Sequence, residues 1–252
     1  MIAPSSWSSP RAFQGLLENE LHVWRFGLDP PPSVLDRFEQ TLSQDEIARA
    51  DRFRGPGLRS RFIAGRGGLR AILARYVGCD PESLDFAYRE NGKPWLTGEP
   101  HPQKLEFNLA HSHELALCAI VANRVVGVDI EHMRPMENGP AIIQRFFSPA
   151  ERVAFLSLPE SERFAAFYRG WTRKEAYLKA VGTGLATELD SFDVPLAPGE
   201  PPALLRIGDD PSEPRRWLMC DIEPGAGYAG SLVVARAGLE VPRVRLWEAE
   251  FE

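Results

Sequence analysis

The sequence predicts an α+β fold. Two helical segments lead into a pair of strand-like runs, a long helix follows, and short β-prone runs among Pro and Gly close the chain. The strands do not alternate regularly with helices, so a parallel α/β sheet is excluded and mostly antiparallel strands are expected.

Ser43 and Glu46 have capping-box spacing at the start of SQDEIARADRF, and Phe62, Leu69, Ile72, Leu73 and Tyr76 form a helical stripe in the next segment. Two helices are therefore predicted, separated near Gly55-Pro56-Gly57. The run LALCAIVA from Leu115 to Ala122 has strand character, Asn123-Arg124 offers a short turn, and VVGVDIE from Val125 to Glu131 reads as a second strand, so a hairpin is expected. In that second strand Val126, Val128 and Ile130 share one face, and Val125, Gly127, Asp129 and Glu131 share the other. Two carboxylates thus project side by side.

Ser148-Pro149-Ala150-Glu151 is a helix start, with Ser as cap, Pro in the first turn and Glu completing a capping box. A long helix is predicted from about Ser161 to Val181, ended by Gly182 and Gly184. Beyond Phe192, runs such as Ser231 to Ala235 and Val244 to Trp247 are expected to complete a sheet. No repeat of short fixed period is present, which excludes a solenoid or propeller.

At 252 residues, with 44% apolar and 25% charged residues, the chain has the composition of a globular protein with a substantial core. A net charge of −6 gives no basis for general polyanion or nucleic-acid binding, so any anion site must be local. Cys79, Cys118 and Cys220 are too few and scattered for a disulfide framework, and no CxxC pair suggests structural zinc. The start, MIAPSSWSSPRAFQ, lacks a continuous apolar stretch, and no apolar run is long enough to cross a bilayer. A cytoplasmic protein without membrane contact is expected.

The stretch WTRKEAYLK, Trp171 to Lys179, sets the functional question. At ~100° per residue, Phe164, Phe167, Tyr168, Trp171 and Leu178 share one helix face, Glu175 falls in the same sector, and Lys179 lies beside it. Burying an ionised carboxylate costs several kcal/mol unless it is paired or bound to a metal. Lys179, at i+4, is the plain partner, in a pairing worth only ~0.2–0.5 kcal/mol on an exposed helix. The other reading adds Asp129 and Glu131, because three converging carboxylates require a cation. Oxygen-only ligands suit Mg²⁺, which keeps waters and favours phosphate oxygens, so a phosphate-bearing substrate would follow. Spacing alone leaves both readings open.

Several motifs occur in order: NGKPW at Asn91 to Trp95, FNLAHSH at Phe107 to His113, VGVDIE at Val126 to Glu131, RFFSPAE at Arg145 to Glu151, WTRKEAYLKAVGTGL at Trp171 to Leu185, and LDSFDV at Leu189 to Val194. In these the chain resembles the 4′-phosphopantetheinyl transferases of the large, monomeric Sfp type, most strongly from about Ser43 to Val194. Ordered motifs over such a span are far harder to obtain by chance than one short pattern. The resemblance implies a pseudo-two-fold monomer of two similar α+β halves, 1–126 and 127–252, with coenzyme A in the cleft between them. It also implies a reaction, transfer of the 4′-phosphopantetheine arm of coenzyme A to a serine of an apo acyl, peptidyl or aryl carrier protein, releasing adenosine 3′,5′-bisphosphate.

By matching position, the resemblance implies Asp129, Glu131 and Glu175 as Mg²⁺ ligands, Glu175 as general base directly or through water, and Lys179 as a cation on the diphosphate. Gly92 and Lys93 of NGKP, Ala110 and His111 of NLAH, and Asp129 are implied to border coenzyme A. Arg49 and Arg61 are candidates for its 3′-phosphate, while Glu46 stands where a basic residue is found in a relative. Lys174 is either an assisting cation or a surface amine. A zinc site of His111, His113 and His132 lacks recognisable third-ligand spacing. Phe146, Phe147 and Phe155 are either core or carrier contacts. Two other functions remain open: a Mg²⁺-dependent phosphohydrolase acting on water, and a non-catalytic carrier-binding scaffold in which Glu175 and Lys179 form only a structural ion pair.

Overall fold

A computed structural model of the chain describes every residue except 1–5, 11–12, 14, 91, 99–103, 136–138, 183–186, 239 and 252. Asn91 of the NGKPW motif and the predicted helix stop at Gly184 therefore lie outside the described residues. Alternation in ELHVWRFG makes Glu20–Gly27 a strand, β1. Helices α1 (Pro32–Thr41), α2 (Gln44–Ala50) and α3 (Leu58–Val77) follow, with the Ser43 amide bonded to Glu46 Oε2 at 3.0 Å as the capping box requires. Short strands β2 (Phe86–Tyr88) and β3 (Pro94–Leu96) precede β4 (Leu105–Ser112), β5 (Leu115–Ala122) and β6 (Val126–His132). Next come α4 (Gly139–Phe146), α5 (Pro149–Ser157) and α6 (Glu160–Val181). The chain finishes with β7 (Phe192–Asp193), β8 (Arg206–Ile207), β9 (Trp217–Ile222), β10 (Tyr228–Ala235) and β11 (Arg243–Glu248).

The strands form a first sheet in the order β11-β1-β5-β4 and a second in the order β6-β10-β9, with β2-β3 and β7-β8 as small pairs. The expected hairpin of β5 with β6 does not form. Both edges of β5 are taken, by β1 and β4, and β6 pairs instead with β10. The turn, with Asn123 at φ 56°, carries the chain from one sheet to the other. The two C-terminal runs also separate: β10 joins the second sheet, while β11 runs parallel to β1 from Glu20↔Arg243 to Arg25↔Glu248.

Three apolar cores stack in layers. Trp24 and Phe26 of β1 face α3, packing with Leu69, Ile72 and Leu73. Leu21 and Val23, on the opposite face of β1, meet Val126, Val128 and Ile130 of β6 across a core between the two sheets. On the far side, Ala176, Tyr177 and Ala180 of α6 pack with Val233 and Met219. The order is helix, sheet, sheet, helix. Each fully buried large side chain contributes about 1.5–3 kcal/mol by leaving water, so the layers are held chiefly by this alternation. Among the described residues no helix is long and apolar enough to cross a membrane.

Candidate active site

Gly127 determines how close α6 lies to β6. A Cβ there would stand 2.1 Å from the Ala176 carbonyl oxygen and 2.3 Å from the Ala180 amide nitrogen, so only glycine lets the helix backbone rest on the strand. Asp129, two residues on, faces the same helix and is buried. Its Oδ1 accepts from Lys179 Nζ at 2.5 Å, and its Oδ2 is buried with no hydrogen-bond partner. Burial pushes the Asp129 carboxyl up to about 7 against the pull of Lys179. For Lys179, burial acts downward, but Asp129, Glu175 and Glu131 outweigh it and hold the ammonium above its ordinary value.

Glu131, at the end of β6, accepts from Ser112 Oγ at 2.9 Å. Glu175 lines a cleft of about 730 Å³ together with Lys93, Asn108, Arg145, Phe146 and Lys179. Burial raises its pKa, Lys179 opposes that shift, and Glu131 adds to it. The three carboxylates therefore act on one another electrostatically. Among the described residues, however, no three His, Cys, Asp or Glu side chains are gathered closely enough to hold a metal ion. Glu131 lines a separate, smaller cleft of about 320 Å³ with Ser112, His113, His132, Arg134 and Trp171.

The remaining predicted residues are placed as follows. His111 is exposed at the end of β4; surrounding protein and the Lys179 charge hold its imidazole below the usual value, with Glu131 opposing. Gly92 and Lys93 line the main cleft. The Lys93 ammonium donates to the backbone oxygens of Val126, at 2.8 Å, and Lys179, at 2.9 Å, and burial lowers its pKa to about 8. Ala110 turns its methyl into the core between the sheets. Arg49 is exposed, its guanidinium 5.7 Å from the Phe62 ring, while Arg61 is held by both oxygens of Asp29 at 2.9 and 2.6 Å.

Three expectations change. Lys174 is neither an assisting cation nor a surface amine: it is fully buried, paired with Glu151 at 2.8 Å and donating to the carbonyls of Leu189 and Phe192. Glu46 is also internal, gripping the guanidinium groups of Arg66 and Arg70. Phe164, placed on the apolar stripe, is 45% exposed. Of the aromatic residues before α5, Phe147 is core and Phe146 borders the cleft. His113 and His132 stack on one another at 4.6 Å rather than converging as ligands with His111.

Sequence reasoning assigned no role to Asn108 or Ser112. Both lie on the β4 face that buries Ala110, and two polar residues flanking a core position at period two were the available signal. Arg145 was quoted only inside a motif, and its place on the cleft wall depends on the packing of α4, which spacing does not report.

Comparison with known proteins agrees with the motif reading. The 4′-phosphopantetheinyl transferase superfamily pattern matches residues 125–233, which include Asp129, Glu131, Glu175 and Lys179. The chain is 41% identical over 223 residues to 4′-phosphopantetheinyl transferase HetI of Nostoc sp., covering 88% of this chain and 91% of that protein. It is 33% identical to the putative 4′-phosphopantetheinyl transferase slr0495 of Synechocystis sp., over 78% of this chain and 77% of that one. To 4′-phosphopantetheinyl transferase Sfp of Bacillus subtilis it is 31% identical, over 64% and 69% respectively. The chain belongs to the Sfp-type 4′-phosphopantetheinyl transferases, enzymes that transfer phosphopantetheine to carrier proteins.

Proposed function

We propose that the donor is coenzyme A bound in the 730 Å³ cleft, that Mg²⁺ would be held by Asp129 with Glu131 and Glu175, which must draw closer together to reach one ion, and that the acceptor is a serine hydroxyl of an apo carrier protein. The observation that carries this reading is Asp129: a buried carboxylate with one oxygen on Lys179 and the other without a partner, electrostatically coupled to two further carboxylates. An orphaned buried oxygen is costly, and an all-carboxylate donor set suits a hard divalent cation. When bound, such a cation supplies charge neutralisation for the diphosphate and the leaving bisphosphate.

The chain's own residues carry the remaining chemistry. The serine oxygen forms a bond to the phosphorus bearing the pantetheine arm, the bond to the bridging oxygen breaks, and adenosine 3′,5′-bisphosphate leaves with the electron pair. Glu175, whose pKa burial raises toward the working range of a general base, takes the serine proton. Lys179, held charged by its carboxylate neighbours, stabilises negative charge on the diphosphate oxygens. Arg49 and Arg61 provide local positive charge, His111 offers a neutral imidazole to a coenzyme A phosphate, and Gly92 and Lys93 border the bound coenzyme A.

The layers support a division into two α+β halves near residue 127, with β11 crossing back to complete the first sheet: α3 covers the first sheet, α6 covers the second, and the sheets meet face to face. We read the protein as a monomer with the site at the seam of these halves. Incubation with coenzyme A, Mg²⁺ and an apo carrier protein tests the function. The carrier mass rises by one phosphopantetheine arm; release of bisphosphate with the carrier unchanged would instead identify a phosphohydrolase, and neither event would leave a scaffold.

A further inference from the structure

Strand β6 is the outer strand of the second sheet, and β4 is the outer strand of the first. The Val125 carbonyl accepts from Ala235 on β10 at 3.0 Å, so the even-numbered residues of β6 direct their backbone groups away from β10, toward the seam with β4. Buried edge groups need partners. Among the described residues no ladder joins β4 to β6.

Three side chains take the ladder's place. Lys93 Nζ donates to the Val126 oxygen at 2.8 Å, Asn108 Oδ1 accepts from the Val128 amide at 2.8 Å, and Ser112 Oγ accepts from the His132 amide at 3.0 Å. Two of these rungs reach further. Lys93 also donates to the Lys179 carbonyl oxygen at 2.9 Å, at the C-terminal end of α6 where a cation is favoured, and Ser112 donates to Glu131 Oε2 at 2.9 Å.

We propose that Lys93, Asn108 and Ser112 are positioning residues that stitch the free edge of β6 across the seam and thereby hold Lys179 on the wall of the larger cleft and Glu131 on the wall of the smaller one. This rests on the reading of Glu131 and Lys179 as parts of the coenzyme A site. It gives the Lys93 ammonium a task other than the phosphate contact implied by resemblance: two of its donors are spent on the strand and helix that carry the reacting groups, and its effect on substrate passes through Lys179.

A double-mutant cycle separates the two roles for Lys93. Coenzyme A affinity is measured by calorimetry, in Mg²⁺ and without carrier, for wild type, Lys93→Met, Lys179→Ala and the double variant. Positioning predicts that Lys93→Met weakens binding by about tenfold in the wild-type background and by less than about twofold once Lys179 is alanine, since residues acting through one another are not additive. The same tenfold loss in both backgrounds, or no loss in either, overturns the proposal. Ser112→Ala with Glu131→Gln forms the matching cycle, read through the Mg²⁺ dependence of the same affinity. If Lys93→Met does not fold, Lys93→Gln, which keeps two N–H donors and loses the charge, is measured instead: positioning predicts affinity within about twofold of wild type, and a loss of about tenfold overturns the proposal. If Lys179→Ala binds coenzyme A as tightly as wild type, the proposed coenzyme A site fails and the seam's role with it; if it binds weakly while the cycle is additive, only the seam's role is overturned.

Discussion

Gly127→Ala perturbs the contact on which the whole site rests. The new methyl would lie 2.1 Å from the Ala176 oxygen, 2.3 Å from the Ala180 nitrogen and 2.9 Å from the Ala180 Cα. All three are helix backbone atoms, so no side chain can rotate aside, and α6 must retreat by roughly an ångström to reach ordinary contact distances. Overpacking of this kind costs about 1–3 kcal/mol, and a rigid backbone neighbour places this case at the upper end. The retreat also draws Lys179 from Asp129 and shifts Glu175. A misplacement of about 1 Å can cost ~100-fold in rate, so transfer falls more steeply than stability. Urea denaturation and carrier modification rates measure the two effects. Gly65→Ala is the control: its methyl would meet Leu28 Cδ2 at an ordinary 3.6 Å, and replacing a mid-helix glycine with alanine stabilises by about 0.5–1 kcal/mol. A Gly127→Ala protein within ~0.5 kcal/mol of wild type and equally active would refute the packing argument.

Other outcomes follow from buried charge. Lys174→Met leaves Glu151 buried without its cation and costs about 3–5 kcal/mol by thermal or chemical denaturation, and adding Glu151→Gln restores part of that loss. Asp129 holds its proton up to about pH 7 in the fold against an ordinary value of 3.8, so the folded chain binds the extra proton between those values. In chelator, the contribution of Asp129 to stability is therefore greatest at the acid end and falls as pH rises through that window, by up to ~1.4 kcal/mol per unit, and Asp129→Asn removes that component of the slope. An unchanged slope in that variant would remove Asp129 as its source. For the 3′-phosphate, Arg49 has no ion-pair partner among the described residues whereas Arg61 is committed to Asp29. Arg49→Ala should accordingly weaken coenzyme A binding more than Arg61→Ala and leave 3′-dephospho-coenzyme A unaffected, a comparison that calorimetry settles.

Local patterns were legible wherever one element decided the outcome. The period-two alternation of VGVDIE separated Val126, Val128 and Ile130 from Gly127 and Asp129, and the structure divides them between the inter-sheet core and α6 in that way. The capping boxes at Ser43 and Ser148 and the helix stop at Gly182, φ 76°, follow from near-neighbour chemistry. Failures arose where a partner lies far along the chain. The β5–β6 hairpin looked sound because alternation reports faces and is silent about which edges are already taken. Lys174 read as a surface or assisting amine because Glu151, which makes its burial tolerable, is on another helix. Lys93, which the resemblance placed beside coenzyme A, also holds two carbonyls that no neighbouring residue announces, because they belong to Val126 and Lys179. The strand β1, which pairs with β11 across most of the chain, had no local turn signal to announce it.

The proposed role of Glu175 as base and ligand, coupled electrostatically to Asp129 and Glu131, is the center of the account, and one variant tests it directly. Glu175→Gln keeps the side-chain volume and removes the charge and the base. In an intact-mass assay with coenzyme A, Mg²⁺ and an apo carrier, the variant should melt with the wild-type protein yet leave the carrier unmodified. A carrier that gains the phosphopantetheine arm at the wild-type rate would contradict the assignment of Glu175 as base and ligand.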